Sequence, residues 1–84
     1  MTPEAIVDEA CAILRRERRR RGIPQSTVGA LSGIGVLQNS TCQSLALWES
    51  GKRRPTLLNF LRWCEGLHVD PADILRRAKA EANA

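Results

Sequence analysis

The chain has 84 residues, of which 43% are hydrophobic and 26% charged, with a net charge of +4 and a pI near 9.6. That length fits one small domain, burying about 60% of its unfolded surface, and the balance of apolar and charged residues excludes a disordered chain. No run of about eighteen apolar residues occurs, so no membrane-spanning helix is expected.

Taken in chain order, Thr2-Pro3 opens a first helix, with Glu4, Asp8 and Glu9 near its positive end. Val7, Ala10, Cys11 and Leu14 recur at helical spacing. The helix runs to about Arg21, and Gly22 ends it. The early carboxylates do not fit the charged-then-apolar layout of a signal peptide, so a cytoplasmic protein is expected. After Gly22-Ile23-Pro24, residues 25–32 read as a short second helix with Val28 and Leu31 inward. Residues 33–39, GIGVLQN, read as a turn with Ile34, Val36 or Leu37 tucked in. Ser40 and Gln43 form a capping-box pattern, and a third helix spans about 40–50 with Leu45 and Trp48 inward, stopped by Gly51. Thr56 caps a fourth helix whose apolar stripe is Leu57, Phe60, Leu61, Cys64 and Leu67. Asp70-Pro71 opens a fifth, with Ile74, Leu75 and Ala78 for packing, and the tail AEANA is expected to fray. The fold class is therefore all-α, one domain over residues 1–84 with its core at about 4–80.

Three cysteines (Cys11, Cys42, Cys64) lie far apart, and His68 is the sole histidine. No metal site or cofactor is expected, and reduced buried thiols are the default. Without a nucleophile–base pair or a phosphate-binding glycine loop, an enzyme is not expected. The thirteen cations are clustered: six between Arg15 and Arg21, three at Lys52, Arg53 and Arg54, and three at Arg76, Arg77 and Lys79. Such clusters serve either as compensation at helix ends or as a clamp for a polyanion.

In that order, RRERRRRGIPQSTVGALSGI and LALWESGKRRPTLLNFLRWCEGLHVDPADIL resemble the Cro and phage-repressor (XRE-type) helix-turn-helix DNA-binding family. The matching positions are Arg18, Gly22, Gln25, Glu49, Gly51, Lys52, Pro55, Leu57, Leu61, Leu67, Val69, Asp70 and Pro71, and the likeness covers about residues 13–76. Two departures stand out. The span from Gln25 to Glu49 is about six residues longer than usual in such motifs, within 33–41. Glu17 stands where members often carry an apolar residue.

The resemblance implies a five-helix lambda-repressor-like domain with its helix-turn-helix at about 25–50. It implies an internal ion pair, Arg18 to Glu49, and phosphate contacts from Gln25, Ser26, Lys52, Arg53 and Arg54. Base reading would come from outward positions of helix three: Thr41, Cys42, Gln43, Ser44 and Leu47, with Gln38, Asn39 and Ser40 joining if the helix extends backwards. Gln43 has a rival role as the capping partner of Ser40. Trp48 and Trp63 are expected in the core and His68 at a cap or on the surface. The implied function is a sequence-specific regulator of transcription, Cro-like or a minimal repressor, on a double-stranded DNA operator. A homodimer is expected, with residues 71–80 as the candidate contact, and no membrane or small-molecule partner. An antitoxin that autoregulates its promoter, and a coactivator-like protein-interaction module, are the alternatives on the same fold.

Overall fold

A computed structural model describes residues 2–32 and 41–83. Among the described residues there are five helices and no strand: α1 (Pro3–Arg20), α2 (Gln25–Ser32), α3 (Thr41–Glu49), α4 (Leu57–Gly66) and α5 (Pro71–Ala82).

Most boundaries follow from local chemistry. The Thr2 hydroxyl accepts from the Ala5 N–H at 3.1 Å, with Pro3 as the first helical residue. Thr56 accepts from the Asn59 N–H at 3.1 Å, and Asp70 from the Ala72 N–H at 3.0 Å, again followed by proline. Each such cap contributes about 1 kcal/mol by satisfying an orphan amide.

Three helices end alike. After α1, Gly22 (φ 68°) allows Ile23 N–H to reach the Arg18 carbonyl at 3.1 Å and Gly22 N–H the Arg19 carbonyl at 3.0 Å. After α3, Gly51 (φ 81°) does the same, with Lys52 N–H on Leu47 and Gly51 N–H on Trp48. These are Schellman turns, whose left-handed residue is cheapest as glycine. After α4 the left-handed position is held by His68 (φ 56°), with Val69 N–H on Cys64 and His68 N–H on Glu65. The sole histidine is thus a C-terminal capping residue that strains its own backbone.

The core gathers Ile13 and Leu14 from α1, Val28 from α2, Leu45 and Trp48 from α3, Phe60, Trp63 and Cys64 from α4, Leu67 beyond it, and Ile74 and Ala78 from α5. Each large side chain so buried contributes roughly 1.5–3 kcal/mol of transfer free energy. Trp48 and Trp63 meet with ring centroids 5.9 Å apart and planes tilted by 36°. The buried Trp63 indole N–H has no hydrogen-bond partner among the described residues, and an orphan donor there carries a desolvation cost.

Two expectations are corrected. Leu57 and Leu61 do not join the α4 stripe: they are 70% and 41% exposed, because the core covers only the flank bearing Phe60, Trp63 and Cys64. The tail does not fray from residue 80; α5 continues to Ala82 because it runs back along α1. Arg16 grips the Glu81 carboxylate at 3.0 and 3.1 Å, Arg77 lies 3.7 Å from Glu17, and Arg21 donates to the Leu67 carbonyl. The expected turn at 33–39, the Ser40 cap and the inward side chain of Leu31 lie outside the described residues.

Candidate nucleic-acid interface

The last turn of α3 is fastened to the rest of the domain through Glu49. Its carboxylate is 3% exposed and accepts from Arg18 Nε at 2.6 Å, Arg18 Nη2 at 2.9 Å and Gln25 Nε2 at 3.0 Å. Arg15 Nε stands 3.9 Å away. Arg18 also donates through Nη1 to the Ile23 carbonyl at 3.0 Å. One buried carboxylate therefore joins α1, the α1–α2 turn, the start of α2 and the end of α3. Its hydrogen bond to Arg18 raises the affinity of that guanidinium for its proton. A buried carboxylate needs this many donors to offset its lost hydration.

The expected Arg18–Glu49 pair is present, and the network around it is wider than the sequence suggested. Gln25 is drawn into it: its side-chain N–H, expected on a phosphate, donates to Glu49 instead. Thr27 and Val28 N–H donate to the Pro24 carbonyl, while the amides of Gln25 and Ser26 have no backbone partner among the described residues. Ser26 is exposed beside them.

On α3, Ser44 and Leu47 are half-buried. Ala46, Leu47, Ser50 and Lys52 line an open depression of about 460 Å³. Thr41 and Gln43 belong to the first turn of α3, but their side chains, like that of Cys42, lie outside the described residues, as do Gln38, Asn39 and Ser40.

The three cations after α3 divide. Lys52 and Arg53 are exposed, and neither pairs with a carboxylate among the described residues. Their backbone amides both donate to the Leu47 carbonyl, at 3.0 and 3.2 Å, which holds the elbow against the end of α3. Arg54 instead binds Asp8 of α1 in a two-pronged pair at 3.0 and 3.1 Å. The 15–21 run is mostly internal. Arg16 holds Glu81, Arg18 holds Glu49, and Arg20 and Arg21 sit 2.7 and 3.6 Å from Glu17. The hydrogen bond from Arg20, with Arg21 and Arg77 nearby, pulls the Glu17 carboxyl below its ordinary range. A carboxylate at position 17 is thereby explained: it gathers three arginines where α1 meets α5.

Sequence reasoning missed Arg15, Asp8 and Glu81 as partners. No local signal marks a contact between residues 46 or 65 positions apart. Compared with protein-family models, curated proteins and solved structures, the chain matches none.

Proposed function

We propose that the chain is a sequence-specific double-stranded DNA-binding regulator of transcription. In this reading α2 and α3 form a helix-turn-helix, α3 lies in the major groove, and the elbow after it grips the backbone. The observation that carries it is the pairing of a locked α3 with free cations directly behind it. Glu49 fixes the end of that helix to α1 and α2. One Schellman turn later, Lys52 and Arg53 stand exposed, and among the described residues no carboxylate neutralises them. Rigid support behind a reading helix limits the entropy lost on docking, and unpaired cations release counterions from phosphates.

Within this reading Lys52 and Arg53 bind phosphates, aided by the amides of Gln25 and Ser26 at the positive end of α2. Ser44 and Leu47, with Thr41 and Gln43, face base edges; Leu47 meets a thymine methyl and Gln43 an adenine edge. Arg54 reaches a phosphate only by leaving Asp8. The Arg16, Arg20, Arg21 and Arg77 pairs serve the fold.

The test is selection of bound duplexes from a random or genomic pool with the purified chain, followed by affinity measurements on the best one. Arg53→Ala should weaken all sequences alike and lower the log–log salt slope by about 0.9. Gln43→Ala should flatten the preference at one or two base pairs, by roughly 1–3 kcal/mol each. Equal effects of both variants on every sequence would refute this division of roles.

A further inference from the structure

Most arginines of the 15–21 run are answered by a carboxylate, but two are not. Arg19 is exposed and meets no carboxylate among the described residues. The Arg15 side chain is 43% exposed, and its nearest carboxylate oxygen, on Glu49, stands 3.9 Å away. That is beyond hydrogen-bonding distance, and Glu49 already accepts from Arg18 and Gln25. Arg15 and Arg19 lie one turn apart on α1, where like charges repel. A cation in the last turn suits the end of a helix, which accounts for Arg19 but not for Arg15, which precedes that turn.

The positions of the two side chains connect them to the elbow after α3. Asp8, Arg15 and Arg19 follow at i, i+7 and i+11, so they form one line along α1, about 16 Å from end to end. The elbow meets this line at two levels. Glu49, at the end of α3, stands beside Arg15, and Arg54 is bound to Asp8 at 3.0 and 3.1 Å. Lys52 and Arg53, between those two anchors, therefore run beside the same two turns of α1. The carboxylates at the start of the line are turned to Arg54: Asp8 through that pair and Glu4 through its field. From Arg15 onward the line carries only positive charge, and Arg19 extends it one turn past the elbow. Arg18, from the adjoining row of α1, donates to the Ile23 carbonyl, so the line ends beside the turn into α2.

We propose that Arg15 and Arg19 form a second phosphate-binding edge on α1, following the same DNA backbone that Lys52 and Arg53 grip. This deepens the DNA-binding reading and rests on it; neither residue is among the phosphate contacts that the resemblance implies. Each guanidinium offers a planar fork to phosphate oxygens and releases counterions without reading sequence. Arg19 leaves no partner behind when it turns to a phosphate. Arg15 gives up only a long contact, while Arg18 and Gln25 continue to satisfy Glu49. The four cations then surround the locked end of α3 and fix its approach to the groove.

The experiment is fluorescence anisotropy of the full chain across a salt series on two labelled duplexes, one enriched by the wild type and one of scrambled sequence. Arg15→Ala and Arg19→Ala should each lower the log–log salt slope by about 0.9, and the double variant by about 1.8. Between about 50 and about 200 mM salt the double variant should then lose about 12-fold less affinity than the wild type. Its preference for the enriched duplex should not change. Arg15→Lys and Arg19→Lys should keep the slope, because they keep the charge; a slope lost equally in the lysine variants overturns the proposal. Arg19, exposed and unpaired among the described residues, carries the test alone if Arg15→Ala loses its helical circular dichroism. A double variant with the wild-type slope overturns the proposal, and a fall for Arg53→Ala in the same series leaves the DNA-binding reading standing. Absence of salt-dependent binding by the wild type overturns both. A slope that falls on both duplexes supports the α1 edge even if the wild type shows no sequence preference.

Discussion

Replacing Glu49 by Gln is the sharpest probe of how α3 is held. The carboxylate is 3% exposed and receives three hydrogen bonds, two of them from Arg18, which is itself only 12% exposed. The amide keeps the shape but removes the charge, leaving the Arg18 guanidinium without its counter-ion in a site it shares with Ile23. Breaking a buried pair from one side costs about 3–5 kcal/mol. A domain of this length has roughly 4–13 kcal/mol in total, so the loss is a large share. At about 4 °C or more per kcal/mol for a domain of this size, the melting temperature should drop by at least about 12 °C in thermal circular dichroism. The apolar double variant Arg18→Met/Glu49→Leu should recover most of that loss, because neither charge is then buried. A Glu49→Gln cost below about 1 kcal/mol would refute the reasoning, since that is the worth of an exposed pair.

Other expectations follow from particular contacts. His68→Gly should raise stability by about 0.5–1 kcal/mol in urea denaturation, because glycine removes the left-handed penalty at φ 56°. Gly51→Ala should lower it by about 1–2 kcal/mol and no more, since nothing lies within 4 Å of the added carbon and only the backbone penalty remains. In a Cys42→Ser background, alkylation should be slow and should track global unfolding. Burial pushes the Cys11 thiol up to about 12 and the Cys64 thiol to about 11, so neither is a thiolate near neutral pH. Glu17 has its pKa depressed by Arg20, so its stabilisation is present above the ordinary carboxyl value of 4.5 and is lost as pH falls through the lowered one. Glu17→Gln should flatten that acid limb of the stability–pH curve. Asp8→Asn should release Arg54 and steepen the salt dependence of DNA binding by about 0.9, read by fluorescence anisotropy.

The helix boundaries were legible because they are written in short-range chemistry: Thr2, Thr56 and Asp70 as caps, Pro3 and Pro71 just inside, Gly22 and Gly51 just beyond. The Arg18–Glu49 pair was legible through the family resemblance and not through spacing. The exposed side of α4 was not legible, because Leu57 and Leu61 belong by period to the same broad stripe as Phe60 and Cys64. Periodicity marks an apolar stripe but not how much of its width the neighbouring helices cover. The docking of the α5 end was missed for a related reason: local composition predicts fraying, while Glu81 is held by Arg16 from α1. Gln25 shows the limit at the candidate interface, where a residue type suited to phosphate serves a buried carboxylate instead.

The most direct test of the account is nuclear magnetic resonance on the labelled chain titrated with its selected duplex. The largest amide shifts are expected at Gln25, Ser26, Ser44, Leu47 and Lys52–Arg53, with cross-peaks between the Leu47 methyls and major-groove base protons. Shifts confined to α4 and α5, with α3 unperturbed, would contradict it.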